Sequence, residues 1–257
     1  MTPIQILLCL IILLSFYNYN RIEKYENVIE YTSSSENIEE QTINTDKLCD
    51  YIGGILYINL DKRTDRRKTI EAELDTLKCP YQRLSATYVP KNGAKGCAKS
   101  HIDAINIAKK NKWKNVLIIE DDFVFKHNVN YKGILYRILR KLNNNFDVLM
   151  LSGHLHSYYK TDIDESLFKV NKCVKTDAYI ISEKFYDTLL NNFTESYNNQ
   201  PSDKPNDAIE IHGWDIWAID QHWKKLQPTN DWYIIFPTIG QQQYGFSDIE
   251  KKVVNYK

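Results

Sequence analysis

The chain carries no excess of charge of either sign: Lys+Arg and Asp+Glu both number 33 in 257 residues. That balance leaves no net field to recruit nucleic acid or an anionic membrane surface, and argues against a general polyanion binder. Cysteine is sparse and unpatterned. Cys9, Cys49, Cys79, Cys97 and Cys173 include no C-x-x-C pair and no zinc-knuckle spacing, so a disulfide scaffold is not expected, although one bridge would suit a lumenal domain. Most of these thiols read as small buried apolar residues. There is no glycine-rich phosphate loop, neither G-x-G-x-x-G nor G-K-[ST], which disfavours dinucleotide dehydrogenases and P-loop NTPases. No internal repeat is present. No apolar run reaches the ~20 residues of a typical membrane span.

What is there is ordinary for a folded domain: 43% hydrophobic and 26% charged residues, in a chain long enough for one sizeable core plus appendages. Pro3 to Tyr17 is apolar except for Gln5 and Ser15, without the basic residues before it and the small-residue cleavage site after it that a signal peptide needs. Arg21 and Lys24 follow, which weakly favours a cytoplasmic carboxyl-terminal side. The expectation is an N-terminal membrane anchor within residues 1–20, of open orientation, on a protein otherwise cytoplasmic. Residues 21–50 are polar, acidic in places and without periodicity, as in a stem or linker. A folded domain is expected over 51–257.

Within that domain β-rich and helical patterns alternate. Strands are predicted at Gly53 to Leu60, Val116 to Ile119, Phe146 to Leu151, Ala178 to Ser182 and Trp232 to Phe236. Helices are predicted at Asp65 to Lys78, Ser100 to Lys112, Lys132 to Leu142 and Glu183 to Phe193, with a surface loop over Thr194 to Asp207. The alternation predicts an α/β domain built on a mostly parallel sheet, whose ligands bind beyond the carboxyl ends of the strands.

Three patches carry chemistry. Val116-Leu-Ile-Ile-Glu-Asp-Asp122 runs an apolar strand into three carboxylates, and strand alternation would send Glu120 and Asp122 to one side and Asp121 to the other. Two carboxylates at a strand end suit a hard divalent cation, Mg²⁺ or Mn²⁺, that neutralises a departing diphosphate. Tyr57-Ile-Asn-Leu-Asp-Lys-Arg-Thr-Asp-Arg-Arg67 ends a strand and enters a helix through an arginine-rich loop, where Arg63 or Arg66 could meet phosphates or order the carboxylates. Lys62, Arg67 and Lys68 read instead as a solvated basic face near Glu71 and Glu73. Gly96-Cys-Ala-Lys-Ser-His101 opens a helix, its glycine allowing close backbone approach and Ser100 and His101 offering hydrogen bonds. Two further features are noted. His154-Leu-His156 could present two imidazoles on one side with no third ligand apparent, and Asn192-Phe-Thr194 is a glycosylation sequon.

Together these patches resemble glycosyltransferase family 25, which includes lipooligosaccharide and collagen hydroxylysine galactosyltransferases. The resemblance rests on I-N-L-D-x-R-x-D-R at Ile58 to Arg66, G-C-x-x-S-H at Gly96 to His101 and L-I-I-E-D-D at Leu117 to Asp122. Thr176-Asp-Ala-Tyr-Ile-Ile-Ser182 and Ser247-Asp-Ile-Glu250 add to it, although Lys175-Thr176-Asp177 stands where the family has small residues. The resemblance implies a GT-A-type, Rossmann-like domain over 51–257 and inverting transfer of a hexose, galactose or glucose, from a UDP-sugar donor to a glycan or glycoprotein acceptor. Glu120 and Asp122 become metal and diphosphate contacts, with Asp121 beside them on the ribose or sugar. Asn59, Arg63, Arg66, Ser100 and His101 become donor-site candidates. The base that inversion requires falls to Asp215, with Asp220 behind it. Two rival readings stand beside this one: a non-catalytic carbohydrate-binding domain of the same fold, and a metal-dependent sugar-nucleotide hydrolase or nucleotidyltransferase.

Overall fold

In the computed structural model, which describes residues 45–202 and 215–255, strands and helices alternate through the first half of the domain. A 3-10 helix at Thr45–Tyr51 leads into β1 (Ile55–Asn59), α1 (Thr64–Asp75), β2 (Gln82–Ser85), α2 (Gly93–Lys110) and β3 (Asn115–Glu120). Then come β4 (Phe123–Phe125), α3 (Tyr131–Leu142), β5 (Val148–Met150) and a hairpin of β6 (His154–Lys160) with β7 (Leu167–Val174). β8 (Ala178–Ser182) and α4 (Tyr186–Asn199) are followed by short helical turns that include α5 (Ile219–His222). The chain closes with β9 (Trp232–Ile235), β10 (Gly240–Gln242), β11 (Gly245–Ser247) and β12 (Lys252–Val254).

Eight strands form the central sheet in the order β2-β1-β3-β8-β5-β9-β7-β6. All but β7 and β8 point the same way, so the sheet is mostly parallel in direction, with antiparallel pairing around those two strands. Helices cover both faces, which is why β3 reads as an unbroken Val-Leu-Ile-Ile run. Alternation then splits each strand. Ile55, Tyr57, Leu117 and Ile119 pack against Ile70 and Leu74 of α1 and Leu135, Ile138 and Leu139 of α3. Leu56, Ile58, Val116 and Ile118 pack on the other face against Ile102 and Ile105 of α2 and Leu189 and Phe193 of α4. Each such aliphatic side chain contributes about 1.5–3 kcal/mol on burial, so the two layers hold the strand ends in fixed register.

Several boundaries differ from expectation. α2 begins at Gly93, not Ser100, because the Asn92 side chain accepts a hydrogen bond from Lys95 N (3.1 Å) and caps the helix early. α4 runs on to Asn199, through part of the expected loop. His154 and His156 lie on β6, the edge strand, with ring centroids 4.8 Å apart. The folded unit also starts before Tyr51: Leu48 is buried and Cys49 is bonded to Cys79, so one disulfide ties the entry segment to the turn after α1. The expected membrane association is corrected, since among the described residues no helix is long and apolar enough to cross a membrane. The apolar segment within residues 1–20 on which it rested lies outside the described residues. Asn192 of the sequon is buried and donates through Nδ2 to His222 O (3.4 Å), so its amide is not open to modification in the folded protein.

Candidate active site

The path β1–α1–β2–α2–β3 lays β2 on one side of β1 and β3 on the other. β1 and β3 are parallel neighbours, with Ile58 opposite Glu120, so their carboxyl ends open side by side where the strand order reverses. Open α/β sheets bind ligands at such a switch point. A cleft opens there, and Arg66, Tyr88, His101, Glu120, Asp121 and Asp122 are among its lining residues.

The three carboxylates do not divide as strand alternation predicts. β3 ends at Glu120, so Asp121 and Asp122 belong to a turn and the period of two stops short of them. Arg66 draws both together: Nη1 donates to Asp121 Oδ1 and to Asp122 Oδ2, each at 3.0 Å. Asn59 supports Asp121 from below through Nδ2 (2.7 Å), while its own Oδ1 accepts from Arg83 Nε (3.0 Å). Glu120 turns the other way. Its Oε1 accepts from Thr176 Oγ1 (2.8 Å) and lies 3.2 Å from His101 Nε2, whose opposite nitrogen is 2.9 Å from the Tyr179 hydroxyl.

Charge is unevenly compensated. Burial works against ionisation of Glu120, but the hydrogen bonds from His101 and Thr176 outweigh it and hold its carboxyl below the usual range. Burial raises Asp121, with Arg66 and Asn59 opposing. Asp122 is pushed up to about 7 by burial and by the neighbouring charge of Glu120, which Arg66 only partly offsets. Behind them, burial lifts Asp177 to about 6, and its Oδ1 has no hydrogen-bond partner. One guanidinium therefore serves a cluster of acids that are electrostatically short of cation.

The other expected residues separate. Arg63 is not among the residues that line the cleft; it is held by Asp65 and by Asp248 (Nη1–Oδ2, 2.6 Å), which does line it. Ser100 lines the cleft, but its hydroxyl is committed to backbone: it donates to Gly96 O (2.8 Å) and accepts from Thr87 N (2.9 Å). A Cβ on Gly96 would meet Thr87 O at 2.4 Å, so the absence of a side chain lets the 86–89 wall lie directly on α2. Arg67 pairs with Glu71 as a solvated face would. Asp215 opens a short 3-10 helix, Asp215–Trp217, and its side chain lies outside the described residues.

Sequence reasoning passed over Cys97, Thr176, Gln242 and the 246–249 segment as site residues. Cys97, His101 and Glu120 bring one ligand atom each within 4.8 Å of one another, the one group of this kind among the described residues, and so form a possible metal-binding triad. Burial pushes the Cys97 thiol well up, which keeps it protonated and a poor ligand without a soft metal to displace the proton. Gln242 Nε2 is 3.5 Å from Asp122 Oδ1, and Phe246 O accepts from Arg66 Nη2 (2.8 Å), so the carboxyl-terminal hairpin closes one side of the cleft. The signal for Thr176 was in the sequence: a polar Lys-Thr-Asp where small residues were expected. For Gln242 and Phe246 no local pattern pointed to the site.

The acid-lined cleft thus lies at the switch point of a two-sided α/β sheet, where ligands of such sheets bind. Residues 91–205, which carry the G-C-x-x-S-H and E-D-D patches, match the model of glycosyltransferase family 25 (LPS biosynthesis protein), a match over less than half of the chain that supports a glycosyltransferase enzyme. The family implies a nucleotide-sugar donor and a glycan acceptor. No curated protein matches the chain in sequence. Among solved structures, A197 from STIV aligns at TM-score 0.40 and 12% identity, over 80% of this chain and 95% of that one. A glycosyltransferase involved in the glycosylation of the major capsid of PBCV-1 aligns at TM-score 0.46 and 10% identity, over 77% and 95%. Mannose-1-phosphate geranyltransferase from Thermus thermophilus aligns at TM-score 0.40 and 9% identity, over 70% and 58%.

Proposed function

We propose that the protein transfers a hexose, galactose or glucose, from a UDP-sugar to a hydroxyl of a glycan or glycoprotein, inverting the anomeric centre with the help of Mn²⁺ or Mg²⁺. The observation that carries this reading is the charge imbalance at the end of β3, where Asp122 is pushed up to about 7 by burial and the charge of Glu120, and Arg66 only partly offsets this. An all-oxygen carboxylate set with that deficit fits a hard divalent cation better than the sulfur-bearing triad does. Glu120 and Asp122 would hold the ion, which supplies positive charge for the diphosphate.

The chain's own residues do the rest. Asp121, braced by Asn59, is the carboxylate offered to the ribose or the sugar. Arg66 orders the acidic turn and turns toward phosphate oxygens when the donor enters. His101, fixed between Tyr179 and Glu120, sets the orientation of the Glu120 carboxylate. Ser100 acts at one remove, by holding the 86–89 wall. The transferase domain in this reading is the unit that begins before Tyr51, at Asn44.

The test is UDP release from a panel of UDP-sugars with Mn²⁺, Mg²⁺ or chelator, with and without simple methyl glycosides as acceptors. Glu120→Ala with Asp122→Ala should remove turnover and metal response together. A double variant equal to the wild type with every donor would overturn the mechanism, and donor consumption that no glycoside accelerates would favour a hydrolase.

A further inference from the structure

Cys97 and His101 stand one turn apart on α2, which brings a thiol and an imidazole together beside the end of β3. One ligand atom from each of Cys97, His101 and Glu120 lies within 4.8 Å of the others, and His101 Nε2 is already 3.2 Å from Glu120 Oε1. Zinc bonds of about 2.0–2.3 Å in a tetrahedron set neighbouring ligand atoms roughly 3.3–3.8 Å apart, so small side-chain rotations close this ring on an ion. Outer partners are in place as well. His101 Nδ1 is 2.9 Å from the Tyr179 hydroxyl, and Glu120 Oε1 accepts from Thr176 Oγ1 (2.8 Å). A hydroxyl both donates and accepts, so Tyr179 suits either tautomer: it donates to Nδ1 while Nε2–H faces Glu120, and accepts from Nδ1–H once Nε2 turns its lone pair to a metal. Both contacts of the Glu120 carboxylate fall on Oε1, which leaves Oε2 for the ion. There is also a way in, because Cys97 and Glu120 line the donor cleft and a second cavity walled by Lys175, Thr176 and Asp220.

We propose that Cys97, His101 and Glu120 form an inhibitory zinc site, exclusive with the hard-ion site of Glu120 and Asp122 because both need the Glu120 carboxylate. One thiolate, one imidazole and one carboxylate suit the borderline-soft Zn²⁺, whereas Mn²⁺ and Mg²⁺ prefer the all-oxygen set. Zn²⁺ also stands well above Mn²⁺ in the affinity order for a mixed nitrogen, oxygen and sulfur site. As the zinc–sulfur bond forms, the thiol proton leaves to solvent, and nothing is oxidised or reduced. An ion held there draws Glu120 from Asp122 and leaves the donor diphosphate without its counter-charge. The zinc site stands on these three side chains alone; that filling it stops turnover rests on the transferase reading above.

Co²⁺ shares the tetrahedral preference of zinc and reports its ligands by colour. Added in stoichiometric amount to the full chain stripped of metal, it should give a thiolate-to-cobalt charge-transfer band in the near ultraviolet that stoichiometric Zn²⁺ erases. Cys97→Ser should lose the band although Cys9 and Cys173 remain. Tyr179→Phe should keep it while weakening Zn²⁺ binding about 10–100-fold, as loss of the group that orients a ligating imidazole does. Should Cys97→Ser fail to fold, Cys97→Ala gives the same reading.

In Mn²⁺-supported UDP release, Zn²⁺ should inhibit the wild type at concentrations at least about tenfold lower than it does Cys97→Ser, each against its own zinc-free rate, and excess Mn²⁺ should relieve the inhibition. A wild type without the charge-transfer band, or a band that Cys97→Ser keeps, would overturn the site. A band accompanied by equal inhibition of the two proteins, or by turnover that Zn²⁺ alone supports, would overturn the inhibitory role. A wild type that shows the band as expected but releases no UDP from any donor overturns the transferase reading and leaves the zinc site standing.

Discussion

Asp177 is a carboxyl whose cost to the fold can be measured. It is buried between β7 and β8, its Oδ2 accepts from Ser152 Oγ, its Oδ1 has no partner, and its carbonyl accepts from Glu120 N (2.8 Å). Burial lifts it to about 6 from an ordinary value of 3.8, with the Ser152 hydrogen bond opposing. A carboxyl whose pKa is raised by folding binds its proton more tightly in the native state. Its stabilising contribution is complete below about 3.8 and is lost as pH rises through about 6. At about 1.4 kcal/mol per pKa unit, the full loss is about 3 kcal/mol, and about 2 kcal/mol of it falls between about pH 4.5 and about pH 7.5. Asp177→Asn removes that dependence and keeps an oxygen for Ser152. Urea unfolding of both proteins at the two pH values should therefore show the variant gaining about 2 kcal/mol on the wild type as pH rises. Only the change with pH is predicted, because the offset also depends on how the new amide packs. Stability differences that stay constant across that range, or shift the other way, would refute the account of Asp177 as a strained acid beside the site.

Metal affinity should follow the protonation of Asp122. With its pKa at about 7, a proton competes with the cation, so the apparent Kd for Mn²⁺ should be about 30-fold weaker at about pH 5.5 than at about pH 8 and level above that. Asp122→Asn should bind more weakly and lose most of the slope; a slope kept in full would show that another group is responsible. Replacing Cys49 and Cys79 by alanine frees a loop of sequence separation 30 and should cost about 3–4 kcal/mol on the chain-entropy relation, seen as a lowered Tm that reductant reproduces in the wild type. A Tm indifferent to reductant would refute the role of this bridge.

Much of the framework was legible from local pattern. β1, β3 and β8 are buried on both faces, so each reads as an apolar run, and the acids at the end of β3 are where the pattern stops. Helices α1 and α3 were found from one apolar face each. The start of α2 was not, because Gly93-Ala-Lys-Gly96 has no apolar stripe and its cap is a single asparagine. The β6–β7 hairpin escaped because an edge strand with one open face mixes polar and apolar residues freely.

The sequence by itself determined the inventory of the site: an acidic strand end, an arginine-rich entry to α1, and a glycine, serine and histidine on one helix. Those follow from periods of two and 3.6 residues and from chemical type, which act over neighbours in the chain. Which charges meet was decided only by the tertiary structure. Arg63 and Arg66 are three positions apart, yet one is bound to Asp248 and the other bridges Asp121 and Asp122. Cys49 found Cys79, and Asp220, far along the chain, came to share a cavity with Glu120. Such pairings depend on strand order and on how loops close over the sheet, and no local period encodes either.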